Sequence, residues 1–176
     1  MADLYDDIAG LSARLVAMST ERDAMVTTAE SCTGGMIAAA ITDNEGASIA
    51  FERGFVTYAN QAKVELLGVD AGLIESVGAV SGEVAGAMAE GALARSNADI
   101  AISVTGIAGP GGGSDIKPVG LVWFGCASAW APTLVVSRQF EDRGRAFIRA
   151  ISVVTALQIV VDTLDGMPQR TPDSQP

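Results

Sequence analysis

Leu4, Ile8, Leu11, Leu15 and Met18 recur at three- and four-residue steps, so the chain opens with an amphipathic helix lying on the body of the domain. The period then changes. Met25 to Thr28 reads as a short strand, broken by Ala29-Glu30-Ser31-Cys32-Thr33-Gly34-Gly35, and a small-residue helix follows over Met36 to Ile41, ending near Asn44 and Gly46. Ile49 to Tyr58 reads as a second strand, and Asn60 to Leu67 as a short helix with Asn60 as N-cap and Gly68 as its stop. Ser81 caps a further helix to about Arg95, where Glu83 suits the first-turn dipole and Val84, Met88 and Gly91 mark the packed face. Ile100 to Val104 is a buried strand.

Thr105-Gly106-Ile107-Ala108-Gly109-Pro110-Gly111-Gly112-Gly113-Ser114 is too rich in glycine for anything but loop. Strands are expected over Val119 to Ala127 and Thr133 to Phe140, then a long helix from about Gly144 to Leu164 with Phe147, Ile151, Val154 and Val161 inward. Helices alternate with strands early and two strands adjoin late. The pattern predicts an α/β fold, a three-layer α/β/α sandwich whose sheet is mixed, mainly parallel, with an antiparallel pair late in the chain. One domain over residues 1–165 is expected, followed by a disordered, polar tail over 166–176. Pro118 to Ser137 carries no charge over a span that could cross a bilayer as a helix. Gly120, Gly125, Ser128 and Pro132 interrupt it, and Val119, Leu121 and Trp123 alternate, which favours two strands joined at Trp130-Ala131-Pro132.

The 176 residues suffice for one hydrophobic core. With 49% hydrophobic but only 5% aromatic residues and 20 glycines, that core is closely packed from small side chains. Eleven basic and 21 acidic residues leave a formal charge of −10. This argues against a broad nucleic-acid surface or an anionic-membrane footprint, while leaving room for a local cationic pocket. The acidic start, Met1 to Asp7, is unlike a signal peptide. Cys32 and Cys126 are too few for a disulfide framework, so a cytoplasmic setting is expected. The count that narrows the chemistry most is zero histidines. It removes the Ser-His-Asp triad, the Cys-His pair and every metal site built on imidazole. No metal site and no cofactor is expected.

Open α/β sheets bind ligands at loops leaving the carboxyl ends of their strands. Three such loops carry suitable residues: Ser31 to Gly35, Tyr58 to Lys63, and Thr105 to Ser114. In the first, Gly34 and Gly35 allow close backbone approach to an anionic ligand. The same residues would equally serve as a capped helix entry, and the flanks of Ser31 are not those of a hydrolase nucleophile elbow. The third loop matches neither a Walker A nor a Rossmann fingerprint and would pass for a surface loop. Cys32 lacks a histidine to activate it. Lys63 is more informative, because a serine hydrolase without histidine needs another base, and neutral lysine is the known alternative. A helix start supplies about 0.3–1 kcal/mol toward deprotonation. Bringing lysine from about 10.4 to roughly 7–8 takes about 4 kcal/mol, so burial or a neighbouring cation must provide most of it.

Thr28-Ala29-Glu30-Ser31-Cys32-Thr33-Gly34-Gly35, Phe55-Val56-Thr57-Tyr58 with Lys63, Gly78-Ala79-Val80-Ser81, Ser103-Val104-Thr105-Gly106-Ile107-Ala108-Gly109-Pro110 and Lys117-Pro118-Val119-Gly120 together resemble the CinA C-terminal domain family, in its order and over nearly the whole chain. The resemblance implies a nicotinamide mononucleotide deamidase. Such an enzyme hydrolyses the carboxamide to nicotinic acid mononucleotide and ammonia without a metal. It implies Ser31 as nucleophile, Lys63 as general base and Tyr58 as a hydroxyl that positions or relays the proton. Thr33, Gly34 and Gly35 then resemble backbone donors to the oxyanion or phosphate, Thr105 and Gly106 the opposing wall of the nucleotide pocket, and Arg143 the cationic ligand group. Glu141 stands where the family has glycine, Gln61 where glutamate is common and Glu45 where proline is common. The family further implies a homo-oligomer, expected to be a dimer, and includes longer proteins with an additional N-terminal domain not expected here. A non-catalytic reading also stands: a nucleotide-binding regulatory or protein-interaction domain linked to competence or DNA damage. Retention of serine, tyrosine and lysine together speaks for the enzyme.

Overall fold

The computed structural model describes residues 1–169. The elements run α1 (Ala2–Arg22), β1 (Val26–Glu30), α2 (Met36–Thr42), α3 (Ala47–Ala50), β2 (Phe51–Val56), α4 (Asn60–Leu67), α5 (Ala71–Val77), α6 (Gly82–Ala94), β3 (Ile100–Gly106), β4 (Leu121–Ser128), β5 (Leu134–Gln139) and α7 (Arg145–Asp165). The sheet order is β2-β1-β3-β4-β5. β1 pairs in parallel with β2 and β3, while β4 is antiparallel to both of its neighbours, so four of the five strands share a direction. The sheet is mixed, as its alternation of elements predicts.

Alternation along β3 sorts the core into two layers. Ile100, Ile102 and Val104 face one way, into a cluster with Leu15 of α1, Ile37 and Ile41 of α2, and Ile148, Val153 and Leu157 of α7. Ala101 faces the other way, with Leu67 of α4, Ile74 of α5, and Val84, Met88 and Ala92 of α6. Small residues let that second layer sit close. The Ser103 hydroxyl donates to the Ala85 carbonyl at 2.6 Å and accepts from the Gly125 amide at 3.1 Å, tying α6 to the sheet. A β-carbon on Gly91 would strike the backbone of Leu67 at the end of α4.

Several boundaries differ from the sequence reading, the strand ends for a tertiary reason. β1 extends through Ala29 and Glu30 because β2 and β3 pair with it on both sides up to Val56 and Val104. β3 extends through Thr105 and Gly106, which pair with Trp123 and Val122. The expected strand start at Ile49 is instead the short helix α3, entered at Gly46 with φ +80°. Tyr58 lies beyond β2 rather than ending it. Ala59, not Asn60, is the N-cap of α4, and its extended backbone carries no side-chain cap. α5 is an element beyond those expected, and it carries a local signal: Asp70 caps it, accepting from the Leu73 amide at 2.8 Å.

The uncharged stretch from Pro118 forms β4 and β5, paired Leu121↔Gln139 to Cys126↔Leu134. α7 is long and apolar enough to cross a membrane, with a mean hydropathy of 1.7, but half of that span is buried inside the fold against α1 and the sheet. The expected tail begins with Met167 held in place. Its amide donates to the Leu164 carbonyl at 3.1 Å, and its carbonyl accepts from Arg22 Nη1 at 3.3 Å. The remainder of that expectation, residues 170–176, lies outside the described residues.

Candidate active site

The neighbouring ends of β1, β2 and β3 bring the first two sequence-predicted loops together. Just beyond β1, the Ser31 amide donates to the Val104 carbonyl at 2.9 Å, and the Thr57 amide to the Glu30 carbonyl at 2.8 Å. The chain after Ser31 then wraps around the buried Glu30 carboxylate, which accepts the amides of Gly35 (3.0 Å), Ile37 (3.1 Å) and Ala38 (2.9 Å). A negative charge at the start of α2 satisfies donors that a helix leaves unpaired. The turn passes through Gly34 and Gly35 at φ +61° and +94°, a left-handed conformation in which a β-carbon is strained.

Lys63 enters from the opposite layer, on the first turn of α4. Although it is lysine, it is only 1% exposed. Its Nζ lies 3.0 Å from Ser31 Oγ and donates to the carbonyls of Thr57 at 2.7 Å and Tyr58 at 3.4 Å. Burial pushes its pKa down to about 8, and no carboxylate pairs with it among the described residues. A neutral amine has two N–H groups and one lone pair. Two carbonyls occupying the N–H groups leave the lone pair for Ser31, and the hydroxyl then donates to it. Burial is therefore the main cause of the depressed pKa that base catalysis would require.

Tyr58 is brought nearby in chain terms, but its hydroxyl faces another partner. It is 60% exposed, and its Oη accepts from Arg145 Nη2 at 2.9 Å, with no hydrogen bond to Ser31 or Lys63. Of the expected backbone donors, Gly34 gives its N–H to the Ser31 carbonyl at 3.1 Å and Gly35 gives its own to Glu30, so both are occupied. The Thr33 amide has no acceptor among the described residues, and its buried hydroxyl lacks a partner too. Thr105 is buried with its hydroxyl donating to the Ala79 carbonyl at 2.9 Å, which ties the segment before α6 to the end of β3. Gly106 meets Val122 and the Leu121 carbonyl too closely to admit a β-carbon.

Arg143 is exposed, with its guanidinium 4.3 Å from the centre of the Phe147 ring rather than against the serine loop. Two arginines that sequence reading passed over reach the loops instead. Arg145 also donates to the Gly109 carbonyl at 3.0 Å, and Arg149 donates to the carbonyls of Cys32 at 3.1 Å and Thr33 at 2.8 Å. A signal for them exists: cations four residues apart in the first turns of a helix oppose its dipole, so something else must hold them there. Cys32 is buried, which pushes its thiol up to about 11 and leaves it protonated at neutral pH. Among the described residues, no three Asp, Glu or Cys side chains gather as metal ligands.

The model of the CinA C-terminal domain matches residues 8–164. Over 133 residues the chain is 54% identical to the nicotinamide-nucleotide amidohydrolase PncC of Enterobacter agglomerans, covering 76% of this chain and 80% of that protein. It is 55% identical over 123 residues to a CinA-like protein of Akkermansia muciniphila, covering 70% of this chain but only 29% of that longer protein. The crystal structure of the competence/damage inducible protein CihA from Agrobacterium tumefaciens superposes with a TM-score of 0.88 at 47% identity, covering 90% of this chain and 96% of that one.

Proposed function

The chain belongs to the CinA C-terminal domain family, and we propose that it hydrolyses the carboxamide of nicotinamide mononucleotide, with Ser31 as nucleophile and Lys63 as its base. The observation that carries this reading is the buried amine 3.0 Å from a serine hydroxyl, in a protein without histidine. Ser31 Oγ attacks the carboxamide carbon as its proton passes to the Lys63 lone pair. The tetrahedral intermediate collapses when the Lys63 ammonium gives that proton to the departing nitrogen, releasing ammonia and leaving an ester on Ser31. Water then attacks the ester, Lys63 again accepts a proton, and returning it to Ser31 Oγ frees nicotinic acid mononucleotide.

Thr33 with the turn at Gly34 and Gly35 would line one side of the carboxamide, and Thr105 with Gly106 the other. Gly34 and Gly35 would contribute shape, since their amides are occupied. Tyr58, held by Arg145, would pack beside the substrate and order water, while Arg143 and Arg145 would supply positive charge for the phosphate. Two unpaired, buried cysteines suit a reducing cytoplasm. Assembly as a homodimer completes the proposal, and light scattering in solution tests it.

Ammonia release from nicotinamide mononucleotide by the purified protein tests the reaction. The rate should be unchanged by a chelator, and Ser31→Ala should abolish turnover while retaining nucleotide binding. Activity lost to the chelator and restored by a divalent metal would overturn the serine mechanism.

A further inference from the structure

Arg149 has no part in the proton transfers above, yet it grips the carbonyls of the loop that follows Ser31, as Glu30 grips its amides. It donates from Nε to the Cys32 carbonyl and from Nη2 to the Thr33 carbonyl, and no carboxylate pairs with it among the described residues. A trans peptide is planar, with its carbonyl and N–H pointing to opposite sides. Holding the Cys32 carbonyl toward α7 therefore turns the Thr33 N–H away from α7. α7 lies in one layer of the fold, and α4, which carries Lys63, lies in the other. The Thr33 amide is thus turned toward the side from which Lys63 reaches Ser31.

The neighbouring donors make the selection. Gly34 and Gly35 have spent their amides on Ser31 O and Glu30, and the Cys32 amide faces its own thiol, while Thr33, buried and two residues past the nucleophile, leaves both its amide and its hydroxyl without an acceptor among the described residues. Buried donors without partners are uncommon because they lose water and gain nothing, unless an acceptor arrives. The resemblance already implies Thr33 among the backbone donors to the oxyanion; we propose that Arg149 is the positioning residue that aims the Thr33 N–H, rather than those of Gly34 or Gly35, at the oxyanion formed at the carboxamide. This rests on the reading of Ser31 as an amide-attacking nucleophile. An oxyanion donor acts most strongly in the transition state, so its loss falls on kcat more than on substrate binding.

The experiment compares Arg149→Ala and Arg149→Lys with the parent protein on nicotinamide mononucleotide. Arg149→Ala should lose kcat on the order of 10²-fold with little change in KM. Added guanidinium ion should restore part of that loss, and Arg149→Lys, able to hold one carbonyl, should fall between. The rise of rate with pH should keep its inflection, since Lys63 is untouched. A kcat close to the parent's, or losses in KM and thermal stability without rescue, would overturn the proposal. A crystal structure of Arg149→Ala gives an answer independent of turnover: the 32–33 peptide should rotate, and an unchanged plane would refute the positioning role. Failure of the parent to release ammonia would count instead against the deamidase reading.

Discussion

In the proposed mechanism, Lys63 concentrates the chemistry of the site in one side chain. With its pKa near 8, the neutral base fraction grows through mildly alkaline pH, so the deamidation rate should rise to a plateau above about pH 8. Lys63→Arg keeps the charge but cannot lose its proton in this range. It should be inactive at every pH, and near-normal turnover with an unchanged profile would remove Lys63 as the base. The same burial has a stability consequence with a definite sign. Between pH 8 and 10.5 the unfolded chain holds the Lys63 proton and the folded protein has released it, so stability rises with pH there, by up to about 3 kcal/mol. Below pH 8 both states are protonated and the burial cost is fully present. Lys63→Met lacks this slope. Urea unfolding of the two proteins should therefore shift in the parent's favour as pH increases, and parallel profiles would show an unperturbed amine.

At the scale of elements, α6 decides where Lys63 sits. Gly91 lets the Leu67 backbone at the end of α4 approach α6, and α4 carries Lys63. Alanine is the better helix former, by about 1 kcal/mol. At Gly91, however, its methyl group would meet main chain that cannot turn aside, so Gly91→Ala should destabilise by about 1–3 kcal/mol and lower activity with it. Gly10, in α1, is the control, because a β-carbon there meets nothing within 4 Å. Gly10→Ala should stabilise by about 0.5–1 kcal/mol. Thermal unfolding of the pair separates helix propensity from packing, and two changes of the same sign would mean that α4 does not rest on Gly91.

Across the whole molecule, net charge and site charge have opposite signs. The chain carries −10 overall, yet Arg143, Arg145 and Arg149 stand together at the start of α7. A phosphate would find local attraction on a protein that otherwise repels anions. The mononucleotide should therefore be hydrolysed with higher kcat/KM than its riboside. Arg143→Ala and Arg145→Ala each measure their share of that preference. Equal efficiency for nucleotide and riboside in the parent would remove the phosphate subsite.

Apart from the family resemblance that supplied the role of Tyr58, the amino-acid sequence by itself determined the alternation of helices and strands, the small-residue core, the absence of imidazole and the candidacy of Ser31 and Lys63. These depend on local periodicity and residue chemistry, which a linear reading contains. Tertiary structure alone decided how they meet. The ends of β1 and β3 are set by strand pairing across the sheet, and the depressed pKa of Lys63 by burial between layers. Which amides stay free was settled by Glu30 folding back onto Gly35, Ile37 and Ala38. Arg143 was singled out from the sequence and lies on the surface beside Phe147, while Arg145 and Arg149 reach the loops. All three belong to one short segment. Arg143 precedes the cap of α7, while packing that helix against α1 and the sheet fixes the directions in which Arg145 and Arg149 face, and so which guanidinium meets Tyr58 and which the serine loop.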